Sequence, residues 1–351
     1  MTADGAAWRS IEWTGDGVDI LDQALLPDTE TILRLTDVDG IVDAIVRLAI
    51  RGAPALGVIG GYGVVVAARG NDPVSAPEAF AADVERIRTA RPTAVNLARM
   101  VDRVVALAPE GRERMLAEAH AVADEEREAS RAMGDRGADL VTGLCTDGPV
   151  RAMTICNTGG LATVERGTAL AVIQTLHERG VLAEALPLET RPLLQGGRLT
   201  TWELQRMGAP FRLLVDGAAP SVLARGLADV VLIGADRVAA NGDTANKIGS
   251  FSLALAAADA GVPFIVVAPE STVDVSTASG DDIEIEDRGP DEVRSARGHR
   301  LTPEGIDALN PAFDVTPRRL ITALVTETRT VRFDRNESLV AVPPPDRENS
   351  P

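Results

Sequence analysis

Aromatic side chains are scarce in this chain: one Tyr, three Trp and six Phe among 351 residues. So few rings leave little on which nucleobases could stack. Basic residues are outnumbered too, 35 Lys and Arg against 52 Asp and Glu, for a formal net charge of -17. A nucleic-acid partner, whose phosphates need neutralising by Lys and Arg, is therefore not expected. A small phosphorylated molecule is not excluded, because a local cluster of cations can hold one phosphate on an acidic protein. Cysteine occurs twice, at Cys145 and Cys156, with neither C-x-x-C nor metal-ligand spacing. Three isolated histidines, His120, His177 and His299, are a poor basis for a metal site, and no metal is expected. The opening M-T-A-D-G-A-A-W-R-S has no basic start and no apolar core, so no signal peptide is expected. The most apolar early run, residues 58–68, is broken by glycine and too short to span a bilayer. Together these absences predict a reduced cytoplasmic enzyme with no membrane partner.

What is present is globular: 45% hydrophobic and 25% charged, at a length that accommodates two domains. Up to about residue 35, polar and apolar residues alternate between turn signals, which predicts short strands burying Ile11, Trp13, Val18, Ile20, Leu21 and Leu25. Ile41, Ile45 and Leu48 have helical spacing, with Thr36 or Asp37 as N-cap and Gly52 and Pro54 as the stop. Further helices are expected around Phe80, Val84 and Ile87, around Met100 to Val105, and over 112–133, where the acidic run 124–128 is expected to be a solvated face. Residues 1–145 thus predict a smaller, mostly helical domain with a few short strands. The stretch 143–148 would be the hinge into 146–340, where strands and helices alternate. Strands are expected at 152–156, 186–189, 212–215, 230–233, 264–267 and 321–325, with a helix carrying Ala169, Val172, Ile173 and Leu176. This predicts an α/β fold with a Rossmann-like, doubly wound parallel sheet. No G-x-G-x-x-G follows a strand, so a dinucleotide is not implied. Residues 274–300 are acidic and loop-rich, with a hairpin expected at 283–285, and 341–351 are expected to be disordered.

The chain is organised around residues 230–250, V-V-L-I-G-A-D-R-V-A-A-N-G-D-T-A-N-K-I-G-S. The run 230–233 has the length of a buried parallel strand, and Asp236 follows at its carboxyl end. Residues 244–247 are expected to open an apolar helix over 248–258. Ligands of open α/β sheets bind beyond the carboxyl ends of strands, near helix starts that attract anions. Asp236, Asn246 and Lys247 would stand there, although a turn aspartate and a solvated lysine are the plainer alternatives. Cys156 ends another strand before N-T-G-G, where a helix start would favour its thiolate; the alternative is a small buried hydrophobe. In residues 189–203, Arg191, Gln195, Gly196, Gly197 and Arg198 follow a strand. Gln195 can both donate to and accept from hydroxyls, and the glycines can bring N–H groups to an oxyanion, unless the stretch is only a structural turn. Arg51-Gly52-Ala53 and Arg91 are the candidates for phosphate contact in the first half. No Ser/His/Asp arrangement or nucleotide loop competes, so the parts fit general acid–base work on a small phosphorylated polyol.

Six segments carry a family resemblance: I-R-G-A-P-A-L-G (50–57), R-P-T-A-V-N-L (91–97), C-N-T-G-G-L-A-T (156–163), E-T-R-P-L-L-Q-G-G-R-L-T-T-W-E-L (189–204), G-A-D-R-V-A-A-N-G-D-T-A-N-K-I-G (234–249) and N-P-A-F-D-V-T-P (310–317). In this order they resemble the methylthioribose-1-phosphate isomerases, a family that shares a superfamily with the alpha, beta and delta subunits of translation initiation factor 2B. The resemblance implies an aldose–ketose isomerase acting on 5-methylthioribose 1-phosphate in methionine salvage, with Asp236 as catalytic acid and Cys156 as its partner in hydrogen transfer. It also implies substrate contacts from Arg51, Gly52, Ala53, Arg91, Gln195, Asn246 and Lys247, no cofactor, and a homodimer.

Two departures from the family pattern stand out. Ile155 occupies the place of a His before the cysteine, and Asp216-Gly217-Ala218-Ala219 replaces a pattern ending in Met-Ala. Both are expected near the pocket, which keeps another 5-modified ribose 1-phosphate, such as the 5-deoxy sugar, open as substrate. A non-catalytic regulatory subunit is the rival from another class, but such subunits would not be expected to keep both Cys156 and Asp236.

Overall fold

The computed structural model describes residues 9–91 and 94–339. The tail expected to be disordered, 341–351, lies outside the described residues, as do Pro92 and Thr93 of the R-P-T-A-V-N-L segment.

The first half opens with an antiparallel meander of β1 (Ile11–Trp13), β2 (Val18–Leu21) and β3 (Ile32–Leu35). Ile11, Val18, Ile20 and Leu21 are buried there, whereas Leu25 is 43% exposed and Leu26 takes the interior place. Five helices follow: α1 (Val38–Val46), α2 (Ala53–Gly70), α3 (Pro77–Arg88), α4 (Val95–Val105) and α5 (Arg112–Leu144). Asp37 caps α1 by accepting from the Gly40 N–H at 2.8 Å, which satisfies one of the free donors of the first turn. α2 is longer than its glycines foretold, and by length and composition it could cross a membrane. It is instead the core helix of this half, packed by α1, α3, α4 and α5. Its glycines permit that packing: a Cβ on Gly60 would lie 2.7 Å from the Leu97 side chain of α4.

The second half is built on a six-stranded sheet of order β15-β14-β9-β6-β4-β5. Its strands are β4 (Val150–Thr154), β5 (Leu182–Pro187), β6 (Val230–Ile233), β9 (Phe264–Val267), β14 (Ala323–Val325) and β15 (Thr330–Arg332). All neighbours are parallel except the β14–β15 edge pair. Helices cover both faces, as a sheet buried on both sides requires. α6 (Ala169–Glu178) and the end of α5 pack on one face with Ala152, Val230 and Ile265, while α8 (Ala219–Ala224) and α9 (Ser250–Asp259) pack on the other with Met153, Val231 and Val266. α7 (Thr201–Met207) follows β5. A smaller sheet, order β10-β7-β8-β13, sits beyond β6 and comprises β7 (Arg237–Ala239), β8 (Thr244–Lys247), β10 (Val273–Asp274) and β13 (Phe313–Thr316).

Several sequence expectations are corrected. Residues 244–247 are a strand rather than a helix start, because β13 pairs with them antiparallel across their whole length. Residues 212–215 form no strand; the stretch runs beside β5 with isolated bridges only at Phe211, to Ala185, and at Leu214, to Leu188, leaving Leu213 and Val215 exposed. The hairpin expected at 283–285 lies later, in β11 (Ser295–Ala296) and β12 (His299–Arg300), just after the short α10 (Asp291–Arg294).

The acidic run on α5 is not simply solvated. Glu125 is paired with Arg103, and Glu126 turns inward, its Oε2 without a hydrogen-bond partner among the described residues. Burial, with Glu327 and Glu125 nearby, pushes the Glu126 carboxyl up to about 7. A carboxyl raised in the folded state binds its proton more tightly than in the unfolded chain, so it lowers stability as pH rises from the ordinary glutamate range through about 7. Glu126→Gln is expected to gain on the order of 2 kcal/mol at pH 8 and nothing near pH 4, read from urea midpoints. Equal midpoints for the two proteins at pH 8 would contradict this.

Candidate active site

Strand order places the site. β4, the first strand of the large sheet in sequence, has β5 on one side and β6 on the other, so the chain reverses direction between β4 and β6. At such a point the loops leaving the two strands part and open a crevice at their carboxyl ends. Cys156 leaves β4 and Asp236 leaves β6, two strands in direct register at Thr154 and Leu232. A cavity of about 1890 Å³ opens there, and all nine site residues expected from the sequence line it.

Cys156 is 9% exposed and has φ 67, a left-handed conformation uncommon for a residue with a Cβ. Side chains hold the strained turn: the Cys156 N–H donates to Thr190 Oγ1 at 2.8 Å, and Thr200 Oγ1 donates to the Cys156 carbonyl at 2.6 Å. The expected helix start is absent. After the cysteine the chain makes a single turn at Gly160–Ala162, and α6 begins only at Ala169, so the helix expected to start directly behind this thiol is not there.

Asp236 is itself exposed, to the cavity, while the body of the protein surrounds it at longer range. That enclosure raises its carboxyl above the ordinary aspartate range, while Lys247, Arg51 and Arg91 pull the other way. Water in the open cavity softens the first effect, and a substrate that displaces this water strengthens it. Lys247 is 7% exposed on β8; its Nζ donates to the Ala312 carbonyl at 3.0 Å and lies 4.6 Å from the centre of the Phe313 ring. Asn246 beside it donates from Nδ2 to Ser250 Oγ at 2.8 Å, at the start of α9.

The first half supplies the opposite wall. Arg51 donates from Nη2 to the Asn157 carbonyl at 3.1 Å and also contacts Asn157 Oδ1. Gly52 and Ala53 begin α2, whose first-turn N–H groups have no partner within their own helix. Arg91 faces Arg288 and Glu286, which stand across the cavity on the segment before α10. Gln195 is 5% exposed, and its Oε1 has no partner among the described residues.

Other sequence candidates turn out to be braces. The Gly197 N–H donates to the Glu189 carbonyl at 3.1 Å, so it is not free for an oxyanion. Arg191 donates to the carbonyls of Glu292, Val293 and Ser295, and Arg198 to those of Gln23, Ala24 and Leu26. The two departures from the family pattern stand behind the wall. Ile155 is 1% exposed in the core, and Asp216 accepts from the N–H groups of Thr190 and Arg191; neither Ile155 nor 216–219 lines the cavity. Sequence reasoning missed Asn157 and Glu203, which are buried and hydrogen-bonded to each other, and Phe313, which lies under Lys247. The signal for Glu203 was an acidic residue between Trp202 and Leu204 on a short helix.

The model of the Initiation factor 2 subunit family matches residues 49–330, and the chain belongs to that family. It is 51% identical over 320 residues to a Nocardia farcinica protein named as a probable bifunctional methylthioribose-1-phosphate isomerase/methylthioribulose-1-phosphate dehydratase. That match covers 91% of this chain but only 58% of the Nocardia protein. A methylthioribose-1-phosphate isomerase of Xanthomonas campestris is 48% identical, with 91% of each chain covered. Among solved structures, 5-methylthioribose 1-phosphate isomerase from Pyrococcus horikoshii superposes with a TM-score of 0.87 at 37% identity, covering 93% of this chain and 94% of that one. The delta subunit of initiation factor eIF-2B from A. fulgidus gives a TM-score of 0.85 at 36% identity, covering 93% and 96%.

Proposed function

We propose that the chain is an aldose–ketose isomerase that converts 5-methylthioribose 1-phosphate into 5-methylthioribulose 1-phosphate, a step of methionine salvage. The observation that carries the reading is the placing of a thiol and a raised carboxyl at the ends of adjacent strands, in one cavity with the cations Arg51, Arg91 and Lys247. The names of full-length relatives at this level of identity agree with it.

The substrate's chemistry says why those groups are needed. Its anomeric carbon is esterified to phosphate, so the ring cannot open simply by releasing a free aldehyde. Asp236, whose carboxyl the surrounding protein raises, delivers from its protonated form a proton to the ring oxygen as the C1–O bond breaks. A hydrogen then moves from C2 to C1 while the C2 hydroxyl returns a proton to the Asp236 carboxylate and becomes the ketone. Cys156 either carries that hydrogen as a proton or stabilises charge while it passes directly as hydride. Arg51, Arg91 and Lys247 balance the phosphate, the first turn of α2 at Gly52 and Ala53 receives its oxygens, and Gln195 and Asn246 take the sugar hydroxyls. The same reading divides the chain into a domain of residues 1–145 and a Rossmann-like catalytic domain of 146–340, working in the cytoplasm as a homodimer.

Phosphorus NMR with the 5-methylthio, 5-deoxy and 5-phospho ribose 1-phosphates, with no metal or nucleotide added, tests the substrate. The 5-methylthio sugar is expected to have the highest kcat/KM. Faster turnover of another 5-substituent would reassign the substrate, and silence on all three would overturn the reading.

A further inference from the structure

A carboxylate that never reaches the cavity organises two of the groups that do. Glu203 on α7 is 6% exposed and is not among the cavity-lining residues. It accepts from Asn157 Nδ2 at 2.6 Å, from the Gly160 N–H at 2.7 Å and from the Leu161 N–H at 3.4 Å. All three donors belong to the loop that follows Cys156. The loop is pressed onto the carboxylate: a Cβ on Gly159 would lie 2.4 Å from either Glu203 oxygen. Because its Nδ2 is committed to Glu203, Asn157 must turn Oδ1 the other way, and that oxygen contacts Arg51. Arg51 keeps its Nε without a partner among the described residues. The neighbouring Thr200 completes the frame by donating to the Cys156 carbonyl.

We propose that Glu203 is a positioning residue for this site, holding the loop that carries Cys156 through the Gly160 and Leu161 N–H groups and aiming the Arg51 guanidinium through Asn157. The catalytic meaning of this role rests on the isomerase reading above, whereas its effect on the Cys156 loop does not. Glutamine cannot substitute, since one of its two positions is an NH2 that would face a donor, either Asn157 Nδ2 or the Gly160 N–H. Protonation has the same consequence. Burial pushes the Glu203 carboxyl up to about 7, against the three loop donors and Arg51, the charged side chain that acts on it. Below that pH one oxygen becomes a donor and loses its grip on the loop, so kcat/KM falls on the acid side in the wild type.

The experiment uses the full chain with Cys145→Ala, which leaves Cys156 as its only thiol. Glu203→Gln and Glu203→Asp are compared by kinetics on 5-methylthioribose 1-phosphate across pH 5.5 to 8.5, and by the rate at which iodoacetamide alkylates Cys156. Glu203→Gln is expected to raise KM and lower kcat about tenfold each, to abolish the acid limb near pH 7, and to change the alkylation rate severalfold. Glu203→Asp, which keeps the charge and shortens the reach, is expected to retain the acid limb with a smaller loss. A folded Glu203→Gln protein with the wild-type limb, KM and alkylation rate would overturn the proposal. If the parent protein turns over no sugar phosphate, the isomerase reading has failed, and an unchanged alkylation rate then refutes the positioning role separately. If the Gln variant does not fold, the proposal stands or falls on the Asp variant, and wild-type KM and alkylation rate in that protein would overturn it.

Discussion

Asp236→Asn is expected to lower kcat by about 10³-fold or more while leaving the Kd for 5-methylthioribose 1-phosphate within about threefold. The separation follows from what Asp236 supplies. The surrounding protein raises its carboxyl, which favours the protonated form over what a free aspartate would hold, and that form is neutral and polar, as Asn is, so the field felt by the bound phosphate barely changes. Asn has no proton to give to a departing ring oxygen, so the loss falls on the step where that bond breaks. The acid must be protonated to act, and activity in the wild type therefore falls as pH rises through the raised Asp236 value. Asp236→Asn would lack that basic limb. Calorimetric binding beside steady-state rates separates the two quantities. A variant that retained a tenth of the wild-type kcat would remove Asp236 from the chemistry.

Gly52→Ala is expected to damage stability and catalysis together. Gly52 has φ +97, and an added Cβ would lie 2.3 Å from the Ala162 carbonyl oxygen and 2.7 Å from Ala162 Cα. These are backbone atoms of the loop after Cys156, so no flexible side chain can yield, and the two walls of the cavity must part by about 1 Å. Overpacking and positive-φ strain together are expected to cost about 3 kcal/mol or more. A displacement of about 1 Å between Arg51 and the Cys156 loop is expected to cost about 10²-fold in kcat/KM. Gly111 provides the control: its φ of +93 is nearly the same, but a Cβ there meets nothing within 4 Å. Gly111→Ala should therefore show the backbone strain alone, about 1 kcal/mol, with unchanged kinetics. Wild-type kinetics in Gly52→Ala would mean that the contact between the two walls is not as close as described.

Much of this was legible in the sequence because buried parallel strands are continuous apolar runs. Residues 230–233 and 264–267 are strands to the residue, and the spacing of Ala169, Val172, Ile173 and Leu176 marked α6. The errors arose where pairing was distant. Residues 244–247 lie against an apolar helix in sequence, yet the strand that claims them, β13, comes after α9, β9 and a long loop region. The same blindness hid the reason that Cys156 and Asp236 meet, since the adjacency of β4 and β6 is a fact of strand order. Arg191 and Arg198 looked like ligands for an anion because sequence cannot show carbonyls waiting at hydrogen-bonding distance. Glu203 went unnoticed because its partners are mainly main-chain N–H groups and an amide brought in by the β4 loop.

The most direct test of the central claim is a phosphorus NMR time course with 5-methylthioribose 1-phosphate and the wild-type chain, Cys156→Ala and Asp236→Asn at equal concentrations. The account predicts steady formation of the ketose 1-phosphate by the wild type and none above background by either variant, with both variants folded and still binding the sugar phosphate. Conversion by either variant at a rate near that of the wild type would contradict it, because the chemistry would then lie outside the crevice between β4 and β6.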